Sequence, residues 1–461
     1  MLNLAISRPH RKRSTRAVLK QARAFRSPAA GSRRRRHGEA YLHRPKRSFR
    51  KSRPAGNGSR APYALIAVCC AFLFFVASII WYANRGVEIT LNGESTTVRV
   101  GETVEQLIDD QELADGLKAG NLLAVDDSVL KKGGGDAYSV ELNGSTLAIG
   151  DVASTKLSGG EKLKVSDGAD IYEAHDVTAS DIEPTLSMTG DGPVQYVKTW
   201  GVKGRSEIWT GKESGRRADR GVVKQPVNCE VECVSVKPDN GRKCVALTFN
   251  EGPSAHTRQM LDILEQQGAK ATFFLTGEGI EANPDAAKAI ADSGNEIGSN
   301  SYAFERLSKL KGDALRSQLS RGFDAIESAT GEKCALLRAP YASFSAQNWA
   351  DSMDMVSAMV GWNIDSGDWL LKGAKSVTDT VIGSVQPGSI IFLTDNSSVS
   401  AQTAASLPAL IDGLKAQGYE LLTLSDLVAT DKELAAGLDL SQVSKPEDAV
   451  LPRVPAEQGR K

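Results

Sequence analysis

Val245-Ala246-Leu247-Thr248-Phe249-Asn250-Glu251-Gly252-Pro253 reads as a short, almost wholly apolar strand that runs out into a polar turn closed by glycine and proline. Continuous apolar character, without in–out alternation, is what a strand buried on both faces requires. Working outward, residues 256–267 carry a helical pattern, and Ala271-Thr272-Phe273-Phe274-Leu275 is a second apolar strand. Asn283-Pro284 supplies an N-cap and a first-turn proline for a helix reaching about Ser293. A longer helix is predicted from about Asp313 to Ala329, stopped at Gly331. Ala335-Leu336-Leu337 and Ile390-Ile391-Phe392-Leu393 are further strands. Strands alternating with helices predict an α/β fold, a distorted (β/α) barrel over residues 243–430, with its site on the loops at the strand C-termini.

Five stretches follow one another in a fixed order after the first strand: Ala271-Thr272-Phe273-Phe274, Glu296-Ile297-Gly298, Arg338-Ala339-Pro340-Tyr341, Asp365-Ser366-Gly367-Asp368-Trp369 and Pro387-Gly388-Ser389-Ile390-Ile391. In these motifs the segment resembles the polysaccharide deacetylases, the NodB homology domain of carbohydrate esterase family 4. The resemblance implies hydrolysis of an N-acetyl group on a glycan, assisted by a divalent metal such as zinc or cobalt. It also implies a Thr-Phe-Asp-Asp-Gly-Pro motif holding the base and one metal carboxylate, two metal histidines, an arginine that orients the base, an Asp-x-x-Asp-Trp motif, and a histidine acid.

At the matching positions this chain departs from that pattern. The base position is Asn250, an amide that takes no proton. The metal-ligand positions are Glu251, Asn300 and Phe304, and the acid position is Thr394. Arg338 and Asp365 are retained, and Tyr341 and Trp369 remain as expected glycan contacts. The five histidines are His10, His37, His43, His175 and His256, and only His256 lies in the barrel segment, so its own side chains supply no two-histidine zinc site. Zinc lowers the pKa of bound water from about 15.7 to about 7, worth roughly 12 kcal/mol of hydroxide availability. General acid and base each contribute about 10²–10⁴-fold more. The expectation is therefore a degenerate member with no cofactor, a pseudoenzyme that binds cell-wall glycan or scaffolds. The alternatives are an active hydrolase of carbon–nitrogen bonds in N-acetylated peptidoglycan or chitin-like polymer, and a purely structural surface protein. The retained pair Arg338 and Asp365 is expected to bond to each other as a buried ion pair.

Upstream, charge is sharply divided. Residues 1–60 carry 19 Lys/Arg against one acid, Glu39, while the rest of the 461-residue chain carries 37 Lys/Arg against 55 Asp/Glu. The first segment is too polar to bury a core and is expected to be a disordered cytoplasmic tail that contacts anionic lipid headgroups, with nucleic acid not favoured. Residues 61–83 hold no charge and end at Trp81-Tyr82, the pattern of an uncleaved transmembrane anchor. The basic flank places the N-terminus inside and the remainder outside a plasma membrane.

Residues 86–170 open with two alternating runs around Asn92-Gly93, a hairpin signature, followed by a capping box at Thr103-Val104-Glu105-Gln106 and a second hairpin at Asn143-Gly144. The order resembles a small β-grasp-like domain. Residues 171–190 read as a polar linker, and 193–235 as strands whose Trp200 and Trp209 cover a small β core. Residues 431–461 read as a polar tail, a helix remnant followed by disorder. Cys229, Cys233, Cys244 and Cys334 allow three disulfide pairings, but Cys229 and Cys233 on one strand stand too far apart to bridge each other.

Overall fold

Parity along the first quoted strand sets the architecture. In a computed structural model, which describes residues 61–370 and 372–454 (without the side chains of 61–65 and 83), Val245, Leu247 and Phe249 pack into one apolar cluster while Cys244 and Ala246 belong to another. The same split recurs one strand away, with Phe273 and Leu275 on one side and Phe274 on the other. Each strand is thus buried on both faces, by helices outside and by its own sheet's curl inside.

Within the first unit, Met1–Ile80, the described part is helical: α1 covers Ala61–Ala83 without a charged residue. Phe72, Leu73, Phe74 and Phe75 on it are exposed. Its side chains are described only from Ile66 to Tyr82, and among the described residues no helix is long and apolar enough to cross a membrane. The basic segment 1–60 lies outside the described residues.

The second unit, Trp81–Lys461, begins with a five-stranded mixed sheet. β1 (Gly86–Leu91) and β2 (Glu94–Arg99) form the hairpin around Asn92-Gly93, whose residues both have positive φ. α2 (Val104–Asp110) starts on the expected capping box, Thr103 Oγ1 accepting from Gln106 N at 3.2 Å and Gln106 Oε1 accepting from Thr103 N at 3.0 Å. β3 (Tyr138–Leu142), β4 (Ser145–Leu147) and β5 (Lys162–Asp167) complete the order β2-β1-β5-β3-β4, with β1 and β5 parallel at the centre. Val104, Leu107 and Ile108 of α2 bury against Ile89, Val140 and Leu163 of that sheet.

Residues 171–190 are not a linker. They supply β6 (His175–Ile182) and β7 (Leu186–Gly190), because the polar residues there lie on strands exposed on both sides and alternation is lost. β8 (Val194–Thr199), β9 (Gly204–Gly211), β10 (Arg217–Lys224) and β11 (Cys229–Val234) follow. β6, β9 and β10 form a separate three-stranded sheet in which Trp209 stacks on His175 at 4.1 Å. Trp200 instead joins the core around Cys229, Val231 and Trp349.

The main sheet has eleven strands. Its parallel part comprises β12 (Cys244–Gly252), β13 (Ala271–Leu275), β14 (Glu296–Ser299), β15 (Leu336–Leu337), β16 (Ala358–Val360), β17 (Ile364–Asp365), β18 (Ser389–Thr394) and β19 (Glu420–Leu422). The order is β7-β11-β8-β16-β15-β14-β13-β12-β18-β17, with β19 also pairing β12. The two ends of this path do not pair, so the expected barrel is a curled, open sheet, and β8 extends it antiparallel to β16. Outside lie α3 (Thr257–Gln266), α4 (Gly277–Ala282), α5 (Pro284–Asp292), α6 (Gly312–Thr330), α7 (Ala346–Ser352), α8 (Ala374–Ser384) and α9 (Ser400–Ala416). α6 ends where expected, on Gly331 at φ 80°. α10 (Leu424–Ala429) and α11 (Lys432–Gly437) close the N-terminal end of the curl with Leu424, Leu427 and Leu434.

The tail is ordered further than its polarity suggested. Residues up to 454 are described, Leu440 and Ala449 are buried, and Arg453 N donates to Pro184 O at 2.8 Å. A few apolar residues spaced among polar ones suffice to dock a segment whose backbone finds partners. Cys229, Cys233, Cys244 and Cys334 are free thiols; Cys229 and Cys233 do share β11, and burial pushes the Cys334 thiol up to about 12.

Candidate functional site at the C-terminal ends of the parallel strands

Inner-face parity continues from Cys244 and Ala246 to Thr248 and Asn250, so the strand delivers its last two polar side chains to the mouth of the curl. Thr248 Oγ1 donates to Ile391 O at 2.7 Å, and Asn250 Nδ2 donates to Leu393 O at 2.8 Å, tying both to β18. Glu251 then breaks the alternation. It sits at φ 67°, the register with β13 slips between Asn250 and Gly252, and its carboxylate turns toward the mouth. Gly252 is required at the next position, since a Cβ there would lie 2.6 Å from Asp395 Oδ2.

A cavity of about 380 Å³ occupies this mouth. Its lining brings together every residue singled out from the sequence: Asn250, Glu251, Asn300, Phe304, Arg338, Tyr341, Asp365, Trp369 and Thr394. It adds three that motif reading missed, Trp362, Phe392 and Asn396. Trp362 and Phe392 pack with ring centroids 4.4 Å apart, and Phe304 and Tyr341 at 4.8 Å. Their signal was present but weak: Trp362 and Asn396 each lie two positions past a strand, and Phe392 two positions before the end of one.

Arg338 lies at the floor with 1% of its surface exposed. Its donors go to Thr248 Oγ1 (2.6 Å), Asn250 Oδ1 (3.1 Å), Val360 O (2.8 Å) and Gly361 O (2.7 Å), all neutral oxygens, and its guanidinium lies 4.1 Å from the Phe274 ring centroid. Burial pushes its pKa down, yet a guanidinium keeps its proton in proteins. The expected Arg338–Asp365 ion pair is not formed. Asp365 is exposed and accepts from Gly367 N at 2.9 Å and Trp369 Nε1 at 3.2 Å, because the two residues close a local turn before the carboxylate reaches inward.

Asn300 is 1% exposed, and both ends of its amide are used: Oδ1 accepts from Glu251 N at 3.2 Å, and Nδ2 donates to Arg338 O at 2.7 Å. Thr394 Oγ1 donates to Asp368 Oδ1 at 3.0 Å, and Thr394 N to Asp368 Oδ2 at 2.6 Å. Burial raises the pKa of Asp368, against the pull of those donors. Asp395, held by Ser254 Oγ and Thr257 Oγ1 at 2.5 and 2.6 Å, is pushed up to about 6 by burial.

These side chains do not fit the divalent metal that the resemblance implies. Phe304 has no donor atom, the Asn300 amide oxygen is committed to Glu251 N, and Glu251 Oε2 accepts from Asn396 Nδ2 at 2.8 Å. No group of three His, Cys, Asp or Glu suited to an ion occurs among the described residues. His256 stands at the N-cap position of α3 without a side-chain cap bond, its Nδ1 lying 2.9 Å from Ser400 Oγ, and His175 belongs to the separate β6–β9–β10 sheet.

A curled parallel sheet whose strand ends present this set of polar and aromatic side chains defines a protein of the polysaccharide deacetylase class. Residues 237–356 match the polysaccharide deacetylase family model. A peptidoglycan-N-acetylglucosamine deacetylase of Bacillus cereus is 34% identical over 195 residues, 41% of this chain and 70% of that protein. The peptidoglycan-N-acetylglucosamine deacetylase PgdA of Listeria monocytogenes is 31% identical over 207 residues, 45% of this chain and 43% of that protein. The solved structure of the peptidoglycan deacetylase PdaC from Bacillus subtilis is 30% identical and covers 44% of this chain and 96% of that one, with a TM-score of 0.40. The chain belongs to the polysaccharide deacetylase family.

Proposed function

We propose that the protein is a membrane-anchored, extracytoplasmic pseudoenzyme of this family that binds cell-wall glycan without hydrolysing it. The observation that carries the reading is the pairing of a preserved, aromatic-walled cavity with a floor of Asn250, Asn300, Phe304 and Thr394. Tyr341 and Trp369 are each 53% exposed at the rim, where a sugar ring has a flat apolar face to stack upon. At the positions matching the family's base and acid stand Asn250 and Thr394, an amide and a hydroxyl that do not exchange protons near neutral pH, and the cavity's carboxylates are instead Glu251 and Asp365. The named peptidoglycan deacetylases among its relatives make peptidoglycan the first ligand to try.

The single membrane pass, with the basic segment inside and the β-rich domains outside, rests on the sequence pattern alone, the uncharged run 61–83 after a basic segment. The order β2-β1-β5-β3-β4, with its central parallel pair, supports a β-grasp-like module over residues 86–170, a spacer between membrane and deacetylase-like domain. The proposed domain limits are 61–83 for the anchor, 171–242 for the β extension and 243–430 for the deacetylase-like domain.

Two measurements on the full chain in detergent test this. Sedimentation with purified peptidoglycan is expected to pull the protein down, and acetate release from peptidoglycan or chitin oligomers is expected to stay at the no-protein rate. Acetate release that a chelator abolishes overturns the pseudoenzyme reading; failure to sediment overturns glycan binding.

A further inference from the structure

We infer that the cavity selects amino sugars carrying a free, charged amine over their N-acetylated forms. This rests on the glycan-binding reading and names the ligand class.

Much of the side-chain donor capacity is already bonded inside the protein, and what is left for an acetyl carbonyl is the Tyr341 hydroxyl, the Trp362 indole N–H and the second hydrogen of each amide. Asn250 Nδ2 donates to Leu393 O, Asn300 Nδ2 to Arg338 O, Asn396 Nδ2 to Glu251 Oε2, and Thr394 Oγ1 to Asp368. The Arg338 guanidinium, the one cation of the lining, is spread over four neutral oxygens. The acceptors are in the opposite state. Glu251 Oε1 has no hydrogen-bond partner, and neither Glu251 nor Asp365 has a cationic partner among the described residues. Asp365 Oδ2 is held only by the long 3.4 Å contact from Trp369 Nε1.

Two carboxylates with spare lone pairs and no cationic partner among the described residues, at a mouth walled by Phe304, Tyr341, Trp362, Trp369 and Phe392, make a site that is acidic and aromatic at once. An ammonium brings three donors and a positive charge, and both carboxylate oxygens and aromatic faces favour it. An N-acetyl group brings one donor and a carbonyl that needs one. Arg338 opposes the cation, but it is enclosed beneath Thr248 and Asn250, while Asp365 is exposed and Glu251 half-buried at the opening.

The test is isothermal titration of the full chain in detergent with three β-1,4 tetrasaccharides: fully de-N-acetylated glucosamine, N-acetylglucosamine and neutral glucose. The glucosamine oligomer is expected to bind roughly fivefold or more tighter than the other two, the size of one partly exposed charge pair. Residues 61–461 carry an excess of acids, so non-specific attraction of a cationic sugar must be separated from the site. Glu251→Gln and Asp365→Asn each change that excess by a single charge, and each is expected to erase most of the preference. Equal affinity for all three sugars overturns the selectivity while leaving glycan binding in place. Binding of none overturns both readings. A preference that survives in both variants overturns this assignment of the site. Should one variant fail to fold, the other still decides.

Discussion

Placing the family's residues in the cavity floor tests whether the side chains present are what keeps a divalent metal out. The variant carries Asn250→Asp, Glu251→Asp, Asn300→His, Phe304→His and Thr394→His together. Without metal it is expected to be less stable than the parent. Replacing Asn300 takes away two buried hydrogen bonds and strands Glu251 N and Arg338 O, about 2–3 kcal/mol. Replacing Phe304 removes a ring pair at 4.8 Å from Tyr341, about 1 kcal/mol. Asn250→Asp sets a carboxylate at the position now 3.1 Å from Arg338 Nη1, whose attraction roughly offsets its desolvation and the lost Asn250 Nδ2 bond to Leu393 O. The sum is about 3–4 kcal/mol.

Zinc at 1,000 times its dissociation constant restores about 4.1 kcal/mol. At roughly 2–4 °C per kcal/mol, the apo variant should melt about 10 °C below the parent, and zinc should return most of that. Any single reversion should lose stability that zinc does not return, since one added histidine leaves fewer than three good donors. Differential scanning calorimetry with and without chelator, plus metal content by mass spectrometry, reads all of this. If the parent binds zinc stoichiometrically and gains the same stability, or a folded fivefold variant gains none, the donor inventory is wrong.

Three further outcomes are expected. The Asp395 carboxyl, raised from 3.8 to about 6, stays protonated in the fold after the unfolded chain has released its proton, so its contribution is most favourable below pH 4 and falls by about 3 kcal/mol as pH rises through 6. Urea denaturation at pH 4 and pH 7 should show that loss in the parent and a flatter profile in Asp395→Asn; equal slopes count against it. Trp369→Ala, at a half-exposed rim position, should weaken glycan binding about fivefold in sedimentation and leave the melting temperature within about 1 °C. Trp349→Ala should cost about 3–5 kcal/mol in urea denaturation, because the fully buried indole also donates to Gln195 Oε1 at 3.1 Å and couples α7 to β8.

What could be read from sequence was whatever depends on local pattern. The apolar run 245–249, the N-cap at Asn283 and the stop at Gly331 state their own structure because strand burial and helix ends are local chemistry. The nine site residues were legible through the order of the motifs that the segment shares with the polysaccharide deacetylases, and they lie within the last residues of a parallel strand or up to five beyond it. What stayed hidden depends on pairing between distant segments. Nothing in the exposed pattern of 175–190 announces that β7 pairs with β11, or that β8 closes against β16. The same limit explains the failed Arg338–Asp365 pair: two opposite charges in one motif series suggest a bond, but the bond depends on where each backbone points. Asp365 is captured by Gly367 and Trp369 within its own turn.

The consequence of that failed pair reaches beyond one contact. A buried guanidinium left among neutral oxygens is costly, and a carboxylate at position 250 would offset that cost. Asn250 gives up charge compensation but gains something an aspartate lacks, because its Nδ2 satisfies Leu393 O while its Oδ1 receives Arg338. The amide therefore bridges β12, β18 and the arginine at once, and every buried side-chain polar atom among the described residues finds a partner. A floor decaying by chance loss would leave orphaned donors and acceptors at each replaced position. Here the replacements at 250, 300 and 394 each complete a hydrogen-bond set, and only Phe304 turns apolar, against another aromatic ring. The cavity is built around the residues it has, and its spare negative charge sits on the Glu251 and Asp365 carboxylates, where a ligand would meet it.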